Sequence, residues 1–485
     1  MKNKNVAATI SALALFGILL SPATPGNVAF ADEEPEGFLT SAEPYITMAN
    51  SRNTIKAIIT NGDTIGDYTF AKIPDGIGAF KSEGDDERDD DDSDLLNVFV
   101  NHELDGSAAQ GGFGRVSKLA LNEDAEVMTG SYPIDGTEGY ERLCSSSLVE
   151  GFGFEDPTYF TNEEVADGIA IALNGKTGEL TEMPWLGELS HENTIHVPLF
   201  EKTLGKTVLI TTEDGDATDS EVYMYIADSP EDLLAGNGQL YVFRAKDSAT
   251  FNTWDDIYFS TGSVKGKFIP LDWDHAIQDE IDLHNEALAK GAFLFVRPED
   301  AAMDKRALRG NIMYMADTGN DRDENGVLIP PGSNGQEFTK GRMYKFEFTD
   351  PKDPTTARFR VMMDGNDPKA PGFGVLVNPD NIDTSKRSLM INEDWIGVNR
   401  SPATETPYDI TKNSKILRVD LGSGKLEKVA FVNQLEIPAL VHGNWESSGI
   451  LDASEFFGRG SWLVDVQAHG LAEGGQLLLM KVRGS

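Results

Sequence analysis

Seven polar clusters punctuate the sequence, and their residue types suit metal binding. They are Asn101-His102-Glu103; Arg142-Leu143-Cys144-Ser145 with Asn162-Glu163-Glu164; Ser190-His191-Glu192-Asn193 with Glu213-Asp214; Arg297-Pro298-Glu299-Asp300; Glu393-Asp394; Trp445-Glu446-Ser447-Ser448-Gly449; and Asp465-Val466-Gln467-Ala468-His469. Singly, each has an ordinary reading. A Glu-Asp pair after a strand caps a turn, Arg297 and Glu299 form a salt bridge, a lone histidine is hydrogen-bonded, and a lone cysteine is a small buried apolar side chain. Together they exceed what loop closure requires. Carboxylate and amide oxygens are hard donors suited to Ca2+ or Mg2+. A thiolate from Cys144 would add a soft donor of the kind that favours a transition metal.

Something must bring the clusters together, and a repeated strand pattern does so. Apolar runs lead into an acid at Val98–Glu103, Val208–Glu213, Ile312–Asp317 and Ser388–Glu393, and more loosely at Trp462–Asp465. A second form opens on a small residue with bulky apolar residues two and five positions on: Gly114–Leu119, Gly238–Phe243, Gly341–Phe346, Ser414–Val419 and Gly475–Met480. Strand–acid followed by Gly–strand, repeated along the chain, predicts an all-β, propeller-like domain with loop insertions. Strands ringing one axis would gather their terminal carboxylates, and gathered carboxylates repel unless cations sit among them. The best helical stretch is Ala276 to Phe293, with an apolar face predicted at Ile277, Ile281, Leu288 and Phe293.

Composition narrows the function. Eighty acids face 41 bases, a formal charge of −39. This argues against nucleic acid or an anionic membrane as partner and fits cation binding or a saline habitat. The N-terminus reads as a Sec-type secretory signal over residues 1–31. Lys2 and Lys4 precede the apolar run Ala12 to Leu20, and Ala29-Phe30-Ala31 is the cleavage site. Losing Lys2 and Lys4 with it takes −39 to −41. Residues 32–485 then form one domain, secreted or periplasmic, with no apolar segment long enough to span a membrane. Cys144 is the only cysteine, so no internal disulfide forms. The run Asp85 to Asp92 reads as a solvated acidic loop. Asp321, Asp323, Asn325 and Gly326 open like a calcium loop, but Gly332 stands where its bidentate acid belongs. No phosphate-binding glycine loop and no Gly-x-Ser-x-Gly elbow is present.

In chain order, Val98–Leu104, Arg142–Ser145, Asn162–Glu164, His191–Asn193, Leu234–Phe243, Arg297–Asp300, Asp317–Gly319, Ile391–Asp394, Ser414–Lys425, Glu446–Asp452, Asp465–His469 and Glu473–Leu477 resemble the PhoX-type alkaline phosphatases. The Arg-Pro-Glu-Asp and Glu-Ser-Ser-Gly-Ile…Asp-Val-Gln-Ala-His pieces are the more specific. The resemblance implies a six-bladed propeller with Ca2+ and Fe3+ at its centre. It implies Cys144 as an iron ligand, and Glu103, Glu164, Glu192, Glu213, Glu299, Glu393, Asp394, Glu446 and Asp465 as further metal ligands. Arg297 and Glu299 match the paired arginine and glutamate of the site, where arginine contacts phosphate and glutamate binds metal. Three features depart from the pattern: better-known members carry a twin-arginine signal, they are longer than this chain, and Cys144 is followed by Ser145-Ser146-Ser147 rather than a glycine-rich segment.

The expectation is a secreted, metal-dependent phosphomonoesterase, a monomer acting on small phosphate esters. The alternatives are a Ca2+-dependent phytase, for which the few basic residues are a poor fit, a lactonase on the same scaffold, or a non-catalytic calcium-stabilised surface protein.

Overall fold

The computed structural model describes residues 37–82, 95–215, 219–320, 331–394, 413–434, 445–470 and 474–485. The predicted signal at 1–31, the acidic run at 85–92 and the calcium-like loop expected at 321–326 lie outside the described residues. Short apolar runs separated by turns fold into antiparallel four-stranded meanders. The first is Pro74–Lys81, Leu96–Asp105, Phe113–Leu121 and Val127–Ile134. The second is Leu143–Val149, Thr158–Glu163, Ala170–Asn174 and Leu180–Glu182. The third is His191–His196, Thr207–Glu213, Val222–Ala227 and Gly238–Ala245. The fourth is Pro298–Met303, Ile312–Asp317, Arg342–Phe348 and Thr356–Asp364. The fifth is Pro379–Thr384, Ser388–Glu393, Lys415–Asp420 and Leu426–Val432. The last is Trp445–Asp452, Ser461–Ala468 and Gly474–Lys481, completed by Thr54–Thr60 from early in the chain.

The first strand of each meander packs against the first strand of the next, and the last against the first. These inner strands therefore ring one axis, and the architecture is a β-propeller. Apolar side chains fill the space between meanders. Phe243, for example, meets Phe268, Phe346 and Phe359 edge-on at 5.3–5.4 Å, a geometry that aromatic rings prefer. One extra strand, Val264–Pro270, pairs with both Gly238–Ala245 and Thr356–Asp364 and fuses the third and fourth meanders into a nine-stranded sheet.

Every strand–acid run of the sequence is the second strand of a meander, directly beside an inner strand. Thr158–Glu163 is a further copy. Four of the five Gly–strand runs are third strands; Gly238–Phe243 lies instead on the outermost strand of its meander. The helix is shorter than the periodicity suggests, Glu280–Lys290, and buries Leu283 and Ala287. Ile277, Ile281 and Leu288 are exposed. The helix ends at Gly291 in the left-handed conformation, so the predicted stripe continues past a cap that the packed face never reaches. No helix among the described residues is long and apolar enough to cross a membrane.

A polar side chain of each meander ties it to an inner strand of the next. Asn101 donates to the Cys144 carbonyl at 2.5 Å, Asn162 to the Glu192 carbonyl at 3.3 Å and Thr212 to the Glu299 carbonyl at 2.5 Å. Thr318 donates to the Pro379 carbonyl at 2.7 Å, and Asn392 to the Ser448 carbonyl. Gln467 closes the circle by donating to Asp75 at 3.1 Å. Asn101 also accepts from the Tyr159 and Thr161 hydroxyls. Asn101→Ala is expected to cost about 2–3 kcal/mol, because it leaves buried groups unpaired. Equilibrium urea unfolding checks this, and a loss well under 1 kcal/mol would show the ties to be incidental.

Candidate metal centre

The inner strands begin alike: Pro74-Asp75, Leu143-Cys144, His191-Glu192, Pro298-Glu299, Pro379-Asp380 and Trp445-Glu446. Each presents its second residue to a cavity of about 350 Å³ at one end of the axis. In five of the six, that residue sits in a β-bulge: three steps along the inner strand match two along its neighbour, as between Pro74 and Ile77 against His102 and Val100. The bulge of the Trp445–Asp452 strand comes two residues later, between Ser447 and Ile450. A bulge re-aims a side chain that regular pleating would turn along the sheet.

Register settles what the second strands contribute. His102, Glu163, Glu213, Asp317 and Glu393 stand opposite the first residue of their inner strands, and Ala468 does so in the last meander. The next residue along is therefore Glu103, Glu164, Asp214, Thr318, Asp394 or His469. Glu103, Glu164, Asp394 and His469 line the cavity, and Asp214 grips Arg297 from beside it. The preceding position faces away. Glu213 accepts from the Glu221 backbone at 2.7 Å. Glu393 is bound by the Lys415 ammonium at 3.0 Å. Asp317 accepts from the backbone N–H groups of Val296 and Arg297, which pins the Arg297-Pro298-Glu299 segment. Asp465 is fully buried behind the inner strand and does not line the cavity.

The structure thus gathers Glu103, Cys144, Glu164, Glu192, Arg297, Glu299, Asp394 and Glu446 of the sequence candidates at one place, and leaves Glu213, Glu393 and Asp465 outside it. It adds Asp75 and Asp380 to the cavity wall, which Arg142 of the second cluster also lines. Asp75 and Asp380 carry a signal in the sequence, since the Pro-acid step of Pro298-Glu299 recurs at Pro74-Asp75 and Pro379-Asp380. Of the remaining histidines, His102 is held by the Lys72 carbonyl and Ser117, and His191 by the Gly187 carbonyl. His469 reaches Glu446 at 3.1 Å.

Three overlapping sets of donor atoms each lie within 4.8 Å of one another: Asp75, Glu103 and Cys144; Cys144, Glu164 and Glu192; and Glu192, Glu299 and Asp380. Burial, then the Glu103 charge, pushes Asp75 up to about 7. Burial pushes Glu164 up to about 8, with Arg142 opposing the rise. Burial followed by neighbouring carboxylates drives Glu192, Glu299, Asp380 and the Cys144 thiol strongly upward. The thiol donates to Glu164 at 2.7 Å. Carboxylates packed this closely must share protons or cations. Oxygen donors with one thiolate fit hard divalent ions and one transition metal.

Two guanidiniums complete the wall. Asp214 holds Arg297 by two hydrogen bonds of 2.7 and 2.6 Å, and Glu299 reaches it at 3.0 Å. Its Nη1 is buried without a hydrogen bond, 3.8 Å from Asp394. Arg142 contacts Glu103 at 2.8 Å and Glu164 at 2.6 Å and adopts a left-handed backbone, φ 47°, unusual for a side-chain-bearing residue.

No protein-family model and no curated protein matches the chain. Among solved structures it is similar to Pseudomonas fluorescens PhoX, determined in complex with vanadate, a transition-state analogue. The TM-score is 0.60 with 14% identity, covering 92% of this chain and 97% of that one. A gluconolactonase from Xanthomonas campestris aligns at TM-score 0.39 and 11% identity, over 90% and 93% of the two chains. The likeness to PhoX speaks for the propeller fold.

Proposed function

We propose that the chain is a secreted, metal-dependent phosphomonoesterase of the PhoX type, a monomer that releases phosphate from small organic esters. The observation that carries the reading is the buried Arg297 Nη1. It is a permanent cationic donor without a hydrogen bond, beside a set of carboxylates and a thiol suited to metals. A cavity holding both offers a phosphoryl group its cations and a directed N–H donor. Asp75, Glu103, Cys144, Glu164, Glu192, Glu299, Asp380, Asp394 and Glu446 would hold Ca2+, with Fe3+ at the Cys144 end. Bound there, the metals supply charge neutralisation for the phosphoryl oxygens.

The chain's own residues do the rest. Asp214 fixes the guanidinium plane of Arg297 so that Nη1 points at the anion rather than swinging through solvent. Arg142 is the more exposed cation of the wall and meets the substrate's phosphate on entry. The polar layer beneath the cavity keeps the inner strands in place: Ser145 donates to Glu192 at 2.6 Å, and Asn381 donates to Asp75 at 3.1 Å and Ser145 at 2.8 Å. Residues 1–31 are the export signal on this reading.

The test joins metal content to activity in protein beginning at Asp32. Hydrolysis of p-nitrophenyl phosphate should vanish with chelator and return with Ca2+. Cys144→Ser should lose iron while retaining calcium, as read by elemental analysis. Bound calcium with no hydrolysis of any phosphoester would turn the assignment toward a lactonase or a calcium-stabilised surface protein.

A further inference from the structure

One strand outside the four-stranded repeat, Val264–Pro270, carries a second feature. Along Val264–Pro270, Val264, Gly266 and Phe268 are buried while Lys265 and Lys267 are exposed. Pairing sets Lys267 opposite Arg244 and Lys265 opposite Arg358. With Lys246 these five cations line a groove of about 650 Å³, and no acid lines it. In a chain with 80 acids to 41 bases this is a strong local reversal of sign. Like charges directly opposed across a sheet are destabilising, and ring closure does not require this strand. Some of the charge is compensated at the rim: Lys267 reaches Asp353 at 3.3 Å, and Arg358 reaches Glu347 at 2.9 Å. Lys246 and Lys265 have no ion-pair partner among the described residues.

We infer that this groove binds an acidic polysaccharide carrying one carboxylate or sulfate on each repeating unit. Cations on adjacent strands stand about 4.8 Å apart, and alternate residues along one strand about 6.6 Å. That is a spread lattice suited to a chain of single charges, not a convergent pocket for one small anion. Screening over about 8 Å at physiological ionic strength lets the patch act locally despite the charge elsewhere. The same overall charge disfavours a polymer as densely charged as nucleic acid. The groove would hold the protein on an anionic matrix or surface polymer, independently of what the carboxylate-lined cavity catalyses.

The test is fluorescence anisotropy of labelled polygalacturonate and of labelled κ-carrageenan, a galactan with a single sulfate on each disaccharide, separating carboxylate from sulfate, with labelled dextran as the neutral control. Saturable binding to either acidic polymer, weakening with salt and absent for dextran, is expected. Lys265→Glu with Lys267→Glu should weaken it at least about tenfold. The milder Lys265→Gln with Lys267→Gln pair should weaken it less and serves if the reversal impairs folding, which circular dichroism reads. Lys386→Glu with Lys425→Glu, reversing exposed lysines elsewhere, should leave binding unchanged. No saturable binding by the wild type, equal binding of dextran, or equal loss in both reversed pairs overturns the inference.

Discussion

Replacing Arg297 by alanine is expected to lower kcat/KM for p-nitrophenyl phosphate about 10³-fold, close to 4 kcal/mol of transition-state stabilisation. Two effects add. The buried Nη1 donor is lost, and Asp214, Glu299 and Asp394 lose the cation they share. Lysine restores a charge but not the planar fork that Asp214 holds by two hydrogen bonds, so Arg297→Lys should remain about 10²-fold impaired. Burial opposes the charge on Arg297, but Asp214 and Glu299 outweigh it and keep the group protonated. The loss should therefore be the same across the neutral and alkaline range. Steady-state kinetics with metal content measured on the same samples decides the matter. An alanine variant with full metal and wild-type kcat/KM would remove Arg297 from the chemistry.

Stripping the metals should invert the pH dependence of stability. Asp75 is pushed up to about 7 and Glu164 to about 8, both first by burial. A carboxyl whose folded pKa lies above its unfolded value binds more protons when folded, so stability falls as pH rises from about 4 to about 8. Chelated protein should melt at least about 5 °C lower at pH 8 than at pH 5. Self-repulsion of a chain at −39 acts in the same direction. Asp75→Asn with Glu164→Gln separates the two causes, because it flattens only the local contribution. Metal-loaded protein should show the opposite trend, since protons compete with cations for the same oxygens. Calorimetry reads both, and a chelated protein that is steadier at pH 8 would mean the carboxylates are not packed as described.

Much of this arrangement is legible in the residues. The strand–acid runs are second strands, and Glu192, Glu299 and Glu446 reach the cavity. What sequence does not reveal is a one-residue matter of pleat. Glu213 and Asp214 are adjacent acids at one strand end, and only the register against His191 turns one outward and the other toward Arg297. Glu393 and Asp394 divide in the same way. Asp75 escapes notice because the strand–acid pattern places an acid at the end of an apolar run, whereas Asp75 opens its strand. Ile281 and Leu288 look like a core face because periodicity reports apolar spacing without saying which side the neighbouring sheet covers.

The pairing of Thr54–Thr60 with Gly474–Lys481 has a consequence for how the protein is made. The two strands lie more than four hundred residues apart in sequence, and the last meander is complete only when both are present. A polypeptide halted before Gly474 leaves the early strand with bare N–H and C=O groups, and the strands that carry Glu446 and His469 unsupported. The carboxylate-lined cavity is thus among the last things to take shape during biosynthesis. The full wall, with Glu446 and His469 held in place, therefore exists only in a finished molecule, and a chain clipped before Gly474 lacks that side of it.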